Sequence, residues 1–334
     1  NKWVLFIQGG GWCYTPEQCL ARTNESTGSS DLMPETKDLG GMLNETVLEN
    51  PDFYSWNHVL FAYCDGGSFT GDVAEPVRVG GKKLYFRGNR NFHAIMDDLL
   101  QNRGLRTATE VLFVGDSAGG VAAYAHADRV AELLPATVKR YKVAPVSGVF
   151  LRHTNALGEP VYEQRMMRAF MMQNSSSGVD VHCLVSKSPR YMYLCLFAEE
   201  VISHLQTPLF VLNSMYDKWS IRCIQAAEPV QDGSPQNENC SAVPGWYDCA
   251  ESGVCTEEQW RANEQWGADF RDMMSNTRAF QADGNGVFAY SCNTHGAEKN
   301  GDLWNKIAIN GVSMRQALTT WFYSDNEPAS KHTY

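Results

Sequence analysis

The apolar run Glu110–Val114, followed at once by Gly115-Asp116-Ser117-Ala118-Gly119-Gly120 and a helical pattern over Gly119–Leu134, constrains this chain more than any other feature. A short apolar run bounded by glycine reads as a buried strand, and Val121, Ala125 and Val130 recur on one side of the following helix. A strand that enters a helix through a glycine-rich turn is a joint of an α/β fold, and such turns lie at the carboxyl ends of parallel strands, where ligands bind. The hexapeptide also fits Gly-x-Ser-x-Gly. There, a sharp turn exposes the serine hydroxyl, small neighbours avoid clashes, and the helix N-terminus favours developing negative charge. The simpler alternative is a glycine-rich helix entry with Ser117 at the N-cap. The Gly-Asp-Ser-Gly-Gly of β-barrel serine proteases is a look-alike, excluded by Ala118 and by the parallel α/β pattern.

The rest of the chain repeats that rhythm. Trp3–Ile7, ending in Gly9-Gly10-Gly11, reads as a strand, as do Val59–Tyr63, Val143–Val149, Pro208–Leu212 and Val287–Tyr290. Phe92, Ile95, Met96 and Leu99 give Asn91–Leu100 helical spacing. Strands alternating with helices predict an α/β fold with a mainly parallel sheet, organised as one domain over 1–334. The exception is 228–262. Its core, Glu228–Cys255, is polar, holds Pro229, Pro235 and Pro244, and carries Cys240, Cys249 and Cys255, which predicts a loop or insertion stapled by disulfides.

A nucleophilic serine needs a base, and the base needs an orienting carboxylate. In α/β-hydrolases the chain order is Ser, then Asp or Glu, then His. Asp217 lies in the turn after Pro208–Leu212, where its plain alternative is a turn-capping Asp. Only His295 and His332 follow it; His332 sits in the C-terminal tail, whereas His295 follows Val287–Tyr290 in a loop. Acyl transfer also needs donors aimed at the developing oxyanion. The amides of Gly10, Gly11 and Ala118 are the candidates, with Trp12 a candidate substrate-binding residue beside them.

Composition narrows the function classes. Net charge is −10 with no Lys/Arg cluster, which argues against nucleic-acid binding. No apolar run approaches the roughly 20 residues that span a bilayer. Ten cysteines include no Cys-x-x-Cys pair and no histidine at zinc-ligand spacing, leaving disulfides or buried thiols. With sequons at Asn24, Asn44, Asn174 and Asn239, they predict a secreted glycoprotein. No signal peptide is visible, so a leader and an N-terminal segment are expected to precede residue 1.

With their neighbours, these residues resemble the pectin acetylesterase/Notum family of carboxylesterases. The matching stretches are Gly9-Gly-Gly-Trp-Cys13, Asn50-Pro-Asp-Phe-Tyr-Ser-Trp-Asn57, Tyr63-Cys-Asp-Gly-Gly-Ser-Phe-Thr-Gly-Asp72, Phe86-Arg-Gly-Asn-Arg90, Ser117-Ala-Gly-Gly120, Tyr216-Asp217 and Cys292-Asn-Thr-His295. The plant enzymes are the nearer branch, chiefly through the run from Cys64 to Asp72. The resemblance implies an α/β-hydrolase-like three-layer αβα sandwich, secretion, Ser117/Asp217/His295 catalysis without metal or other cofactor, and acetylated polysaccharide as substrate. Plant members carry Cys just before the nucleophile and just after the catalytic His; Asp116 and Gly296 stand there here, so the two positions are expected to be spatial neighbours. Against pectin stands the net negative charge, which suits methylated or neutral polymer better.

Two other readings stay open. A Notum-like lipid esterase acting on acylated protein would hold a long acyl chain in an apolar pocket, for which the Met-rich stretch Tyr162–Met172 and Tyr191–Phe197 are candidates. Helical core is the simpler account of the Met-rich stretch and is the one adopted. A catalytically silent carbohydrate- or lipid-binding relative is the third.

Overall fold

A computed structural model of the chain describes residues 1–228, 240, 243–325 and 327–334, without the side chains of 278, 279 and 329. Six strands form one sheet: β1 (Lys2–Ile7), β2 (Asn57–Phe61), β3 (Glu110–Asp116), β4 (Arg140–Val146), β5 (Phe210–Ser214) and β6 (Gly286–Tyr290). Their order is β2-β1-β3-β4-β5-β6 and every neighbouring pair is parallel.

Both faces of a parallel sheet are covered, so its strands are apolar throughout and alternate between two cores. In β1, Trp3, Leu5 and Ile7 enter one core while Val4 and Phe6 enter the other. In β3, Val111 and Phe113 go with the first set, Leu112 and Val114 with the second. The first core is closed by α1 (Gly88–Asn102), through Phe92, Met96 and Leu99, and by α2 (Ala118–Leu133). It also takes Tyr162, Met166 and Phe170 of α3 (Val161–Met172) and Trp266 and Phe270 of α4 (Glu257–Asn276). The second is closed by Ala317, Leu318 and Trp321 of α5 (Met314–Tyr323). The result is the expected three-layer αβα sandwich. Phe113 is fully buried between layers; truncating such a side chain to alanine costs about 3–5 kcal/mol.

The Met-rich stretch is helical core, as adopted: α3 buries Tyr162, Met166 and Phe170 and leaves Met167 and Met171 exposed. In the segment 228–262 the expected disulfide staples are present, Cys223–Cys240 and Cys249–Cys255. Residues 229–239, 241 and 242, including the Asn239 sequon, lie outside the described residues. From Trp246 onward the chain is substantially helical rather than loop, with Tyr247–Ser252 and the first turns of α4 inside it. Helix α4 begins at a capping box: Thr256 accepts from the Gln259 amide while the Gln259 side chain accepts from the Thr256 amide.

The disulfides are Cys13–Cys19, Cys183–Cys195, Cys223–Cys240 and Cys249–Cys255. Cys64 and Cys292 are free thiols, the latter exposed. No helix among the described residues is long and apolar enough to cross a membrane.

Candidate active site

Four turns leave the carboxyl rim of the sheet, after β1, β3, β5 and β6, and each carries candidate residues. Adjacent strands hold them in register: Ile7 pairs with Gly115, Asp116 with Val146 and Ser214 with Tyr290. After β3 the chain reverses at Ser117, whose backbone sits at φ 58° and ψ −123°, a region that costs a non-glycine residue about 1–3 kcal/mol. The conformation is held from both sides. The Ser117 amide donates to Val146 O at 2.9 Å, and the amides of Gly120 and Val121 donate to Ser117 O. Gly9 must lack a side chain for this turn to exist, since a Cβ there would lie 2.6 Å from the Ser117 Cβ.

Ser117 Oγ lies 2.8 Å from His295 Nε2, and His295 Nδ1 lies 2.7 Å from Asp217 Oδ2. Residues 178 apart in the sequence thus meet because β3 and β6 deliver their following loops to one rim. Asp217 serves both readings made of it. Its Oδ1 accepts from the Ser220 amide at 2.9 Å, capping a short helix, while Oδ2 faces the imidazole. The carboxylate is 2% exposed, so the cap fixes its rotamer away from water. Burial works against protonation of His295. The hydrogen-bonded Asp217 carboxylate and the nearby Asp116 carboxylate outweigh burial and raise the ring's pKa, with Lys299 pulling the other way.

The loop Gly9–Trp12 lines the same cavity, of about 610 Å³, as Ser117 and His295. Tyr63 Oη donates to Gly11 O at 2.7 Å, and the indole N–H of Trp12 donates to Ser68 Oγ at 2.8 Å. Ala118 opens α2, so its amide is one of the first-turn donors that have no intrahelical acceptor. The Trp12 ring is not a free platform. It is buried edge to face against Phe150 at 5.0 Å and Trp219 at 5.4 Å, with Tyr162 behind.

Sequence reading missed two groups here. Trp219, partly exposed, lies nearly parallel to the His295 ring at 6.4 Å, and no local pattern singled it out. The second is a cluster of two buried carboxyls and a half-exposed lysine. Lys299 Nζ pairs with Asp116 Oδ2, and Glu298 is completely buried with neither carboxylate oxygen hydrogen-bonded to another described residue. Burial first, then the Asp116 charge, pushes Glu298 up to about 8.

This chain has recognisable relatives. The pectinacetylesterase family profile matches residues 1–332. Pectin acetylesterase 11 of Arabidopsis thaliana is 31% identical over 331 residues, covering 97% of this chain and 79% of that protein. The palmitoleoyl-protein carboxylesterase NOTUM of Drosophila melanogaster is 26% identical, over 97% of this chain and 44% of its own length. Among solved structures, the Wnt deacylase Notum from Drosophila matches with a TM-score of 0.76 at 25% identity, covering 96% of this chain and 83% of that one. The shared fold is α/β-hydrolase-like.

Proposed function

Because the chain belongs to the pectinacetylesterase family, we propose that it is a secreted serine carboxylesterase that removes acetyl groups from a pectin-like polysaccharide. Ser117 Oγ–H donates to His295 Nε2, which takes the proton as Oγ attacks the ester carbonyl. His295 Nδ1–H donates to Asp217, which keeps the ring in the correct tautomer and stabilises the imidazolium. The amides of Gly10, Gly11 and Ala118 receive the oxyanion, and His295 then protonates the departing sugar hydroxyl. Water repeats the cycle and releases acetate.

The observation that carries the short acyl group is the lining of the cavity. Beside Ser117 the apolar space is filled by Trp12, Phe150, Tyr162 and Trp219, packed edge to face. The remaining wall sets Gln18, Asn24, Glu25, Arg165 and Lys299 among Cys13, Tyr14 and Ala21. A long acyl chain would bury its methylenes against charge there, whereas an acetyl group needs little apolar space. The polymer reading draws support from a second cavity of about 690 Å³ that shares Cys13 and Arg22 with the first and carries Lys82, Lys83 and Tyr85. Those cations offer an acidic polymer a local welcome despite the net charge of −10. Four disulfides support an oxidising, extracellular setting.

The test has two arms. Ser117→Ala abolishes hydrolysis of p-nitrophenyl acetate, by about 10³-fold or more, with the fold intact by circular dichroism; retained turnover sinks the assignment. The second arm is a chain-length series from acetyl to octanoyl esters, in which kcat/KM falls as the chain grows. A rise with length selects the Notum-like reading instead. No turnover of any ester selects the silent relative.

A further inference from the structure

Arg22 ends the short helix Pro16–Arg22 and is 5% exposed, yet its guanidinium reaches the loop opposite Ser117. Nη2 donates to Gly10 O, and Nε and Nη2 both donate to Thr27 O at 3.2 Å. The guanidinium also lies 5.8 Å from the centre of the Tyr63 ring. That ring is fully buried, its hydroxyl donates to Gly11 O at 2.7 Å and accepts from the Ser68 amide at 3.0 Å. Two successive carbonyls of one loop are therefore held by two side chains that touch each other.

A trans peptide is planar, so a carbonyl and the N–H that follows it point in opposite directions. Fixing Gly10 O fixes the direction of the Gly11 N–H, one of the oxyanion donors assigned above, and fixing Gly11 O fixes that of the Trp12 N–H, which extends the donor set by one amide. The anchors are themselves anchored. The Cys13–Cys19 disulfide ties the end of the loop to the helix that carries Arg22, and the Cys13 amide donates to Gly66 O at 3.2 Å. Preorganised donors stabilise an oxyanion because they need no reorientation as charge develops. A glycine loop cannot supply that rigidity itself, since glycine has the widest conformational freedom of any residue.

We infer that Arg22 is a positioning residue of the reaction: with Tyr63 it clamps the carbonyls of Gly10 and Gly11 and so aims the loop's amides at the oxyanion formed on Ser117. This rests on the esterase reading above. Arg22 touches no reacting atom; it acts through the backbone, by donating to carbonyl oxygens of the chain itself.

The experiment compares Arg22→Ala, Arg22→Lys and Tyr63→Phe with the wild type on p-nitrophenyl acetate, following kcat, KM, Tm and the affinity of a boronic acid that forms a tetrahedral adduct on the serine. In Arg22→Ala, kcat falls about 10²-fold with KM changed less than about threefold, and boronate affinity falls in step with kcat/KM. Added guanidinium chloride at non-denaturing concentration restores part of the rate, and Arg22→Lys lies between. Tyr63→Phe keeps the ring and loses only the hydroxyl, so it gives a fall of about tenfold without a change of fold; it decides the matter if Arg22→Ala does not fold. Unchanged kcat in both Arg22→Lys and Tyr63→Phe overturns the inference. So does a rise in KM confined to acidic polymer substrates, which would make Arg22 a substrate contact. Failure of the wild type itself to hydrolyse any ester would instead defeat the esterase reading.

Discussion

The Asp116 carboxylate lies against Gly296: a β-carbon built on that glycine would sit 3.2 Å from Asp116 Oδ1. The residue before Ser117 and the residue after His295 are thus spatial neighbours, as the family comparison of those two positions led one to expect. Beside that contact this chain has an ion pair, Asp116 with Lys299. Gly296 is in the left-handed region, at φ 71°, and its amide donates to Ser147 Oγ at 3.0 Å. A side chain at 296 would be strained and would meet Lys299 at 2.8 Å as well.

That cluster tunes the base. His295 must be neutral to accept the serine proton, so the acid limb of the kcat/KM profile follows its pKa. Asp116 raises that pKa and Lys299 lowers it. Asp116→Asn therefore moves the acid limb to lower pH, and Lys299→Met moves it to higher pH. A pH-rate series on p-nitrophenyl acetate reads both shifts; displacement of both variants in one direction would contradict the arrangement.

Glu298 gives a stability prediction whose sign is fixed by burial. Its folded pKa, about 8, lies above the ordinary carboxyl value of 4.5. Folding is therefore least penalised below the unfolded pKa, and stability is lost as pH rises from about 4.5 through 8. Glu298→Gln removes that loss. Its Tm matches the wild type at pH 4 and exceeds it at pH 9 by a few degrees, corresponding to about 1 kcal/mol or more. Equal Tm values at pH 9 would mean that the carboxyl is not desolvated as described.

Gly9 is predicted to be intolerant of the smallest addition. In Gly9→Ala the new methyl group meets the Ser117 Cβ at 2.6 Å and presses on Asp116 O. The strain costs about 1–3 kcal/mol and displaces the nucleophile, so kcat falls about tenfold or more while the protein still folds. A crystal structure of the variant, or kinetics beside a melting curve, checks it.

Thiol chemistry should separate the two unpaired cysteines. Cys292 is exposed and reacts with Ellman's reagent in the native protein. Cys64 is half-buried, and burial followed by the adjacent Asp65 charge raises its pKa, so it reacts slowly until the chain unfolds. Two fast thiols would place Cys64 in a different environment.

How far the sequence disclosed all this depended on the range of the signal. Strand β3 and helix α2 were legible because their residues alternate or repeat locally, and Asp217 and His295 because chain order and strand ends restrict the choice. Trp219 and Arg22 were not. Each acts on a loop that only the tertiary fold brings near, and neither belongs to a local pattern. The helical start of α4 was hidden by its polar surroundings, although Thr256 and Gln259 stood at capping-box spacing and Trp266 and Phe270 at helical spacing. Asp116 was visible as an extra carboxylate, whereas its pairing with Lys299 was not, since that depends on how the loop after β6 folds back.

All the parallel strands run toward one rim, and that rim carries every group assigned to ester cleavage. The turn at 135–138, which leads into the start of β4, lies at the other end of the molecule, with Ala136 and Thr137 open to solvent. An attachment handle inserted there would fasten the protein to a bead or film with its working surface outward.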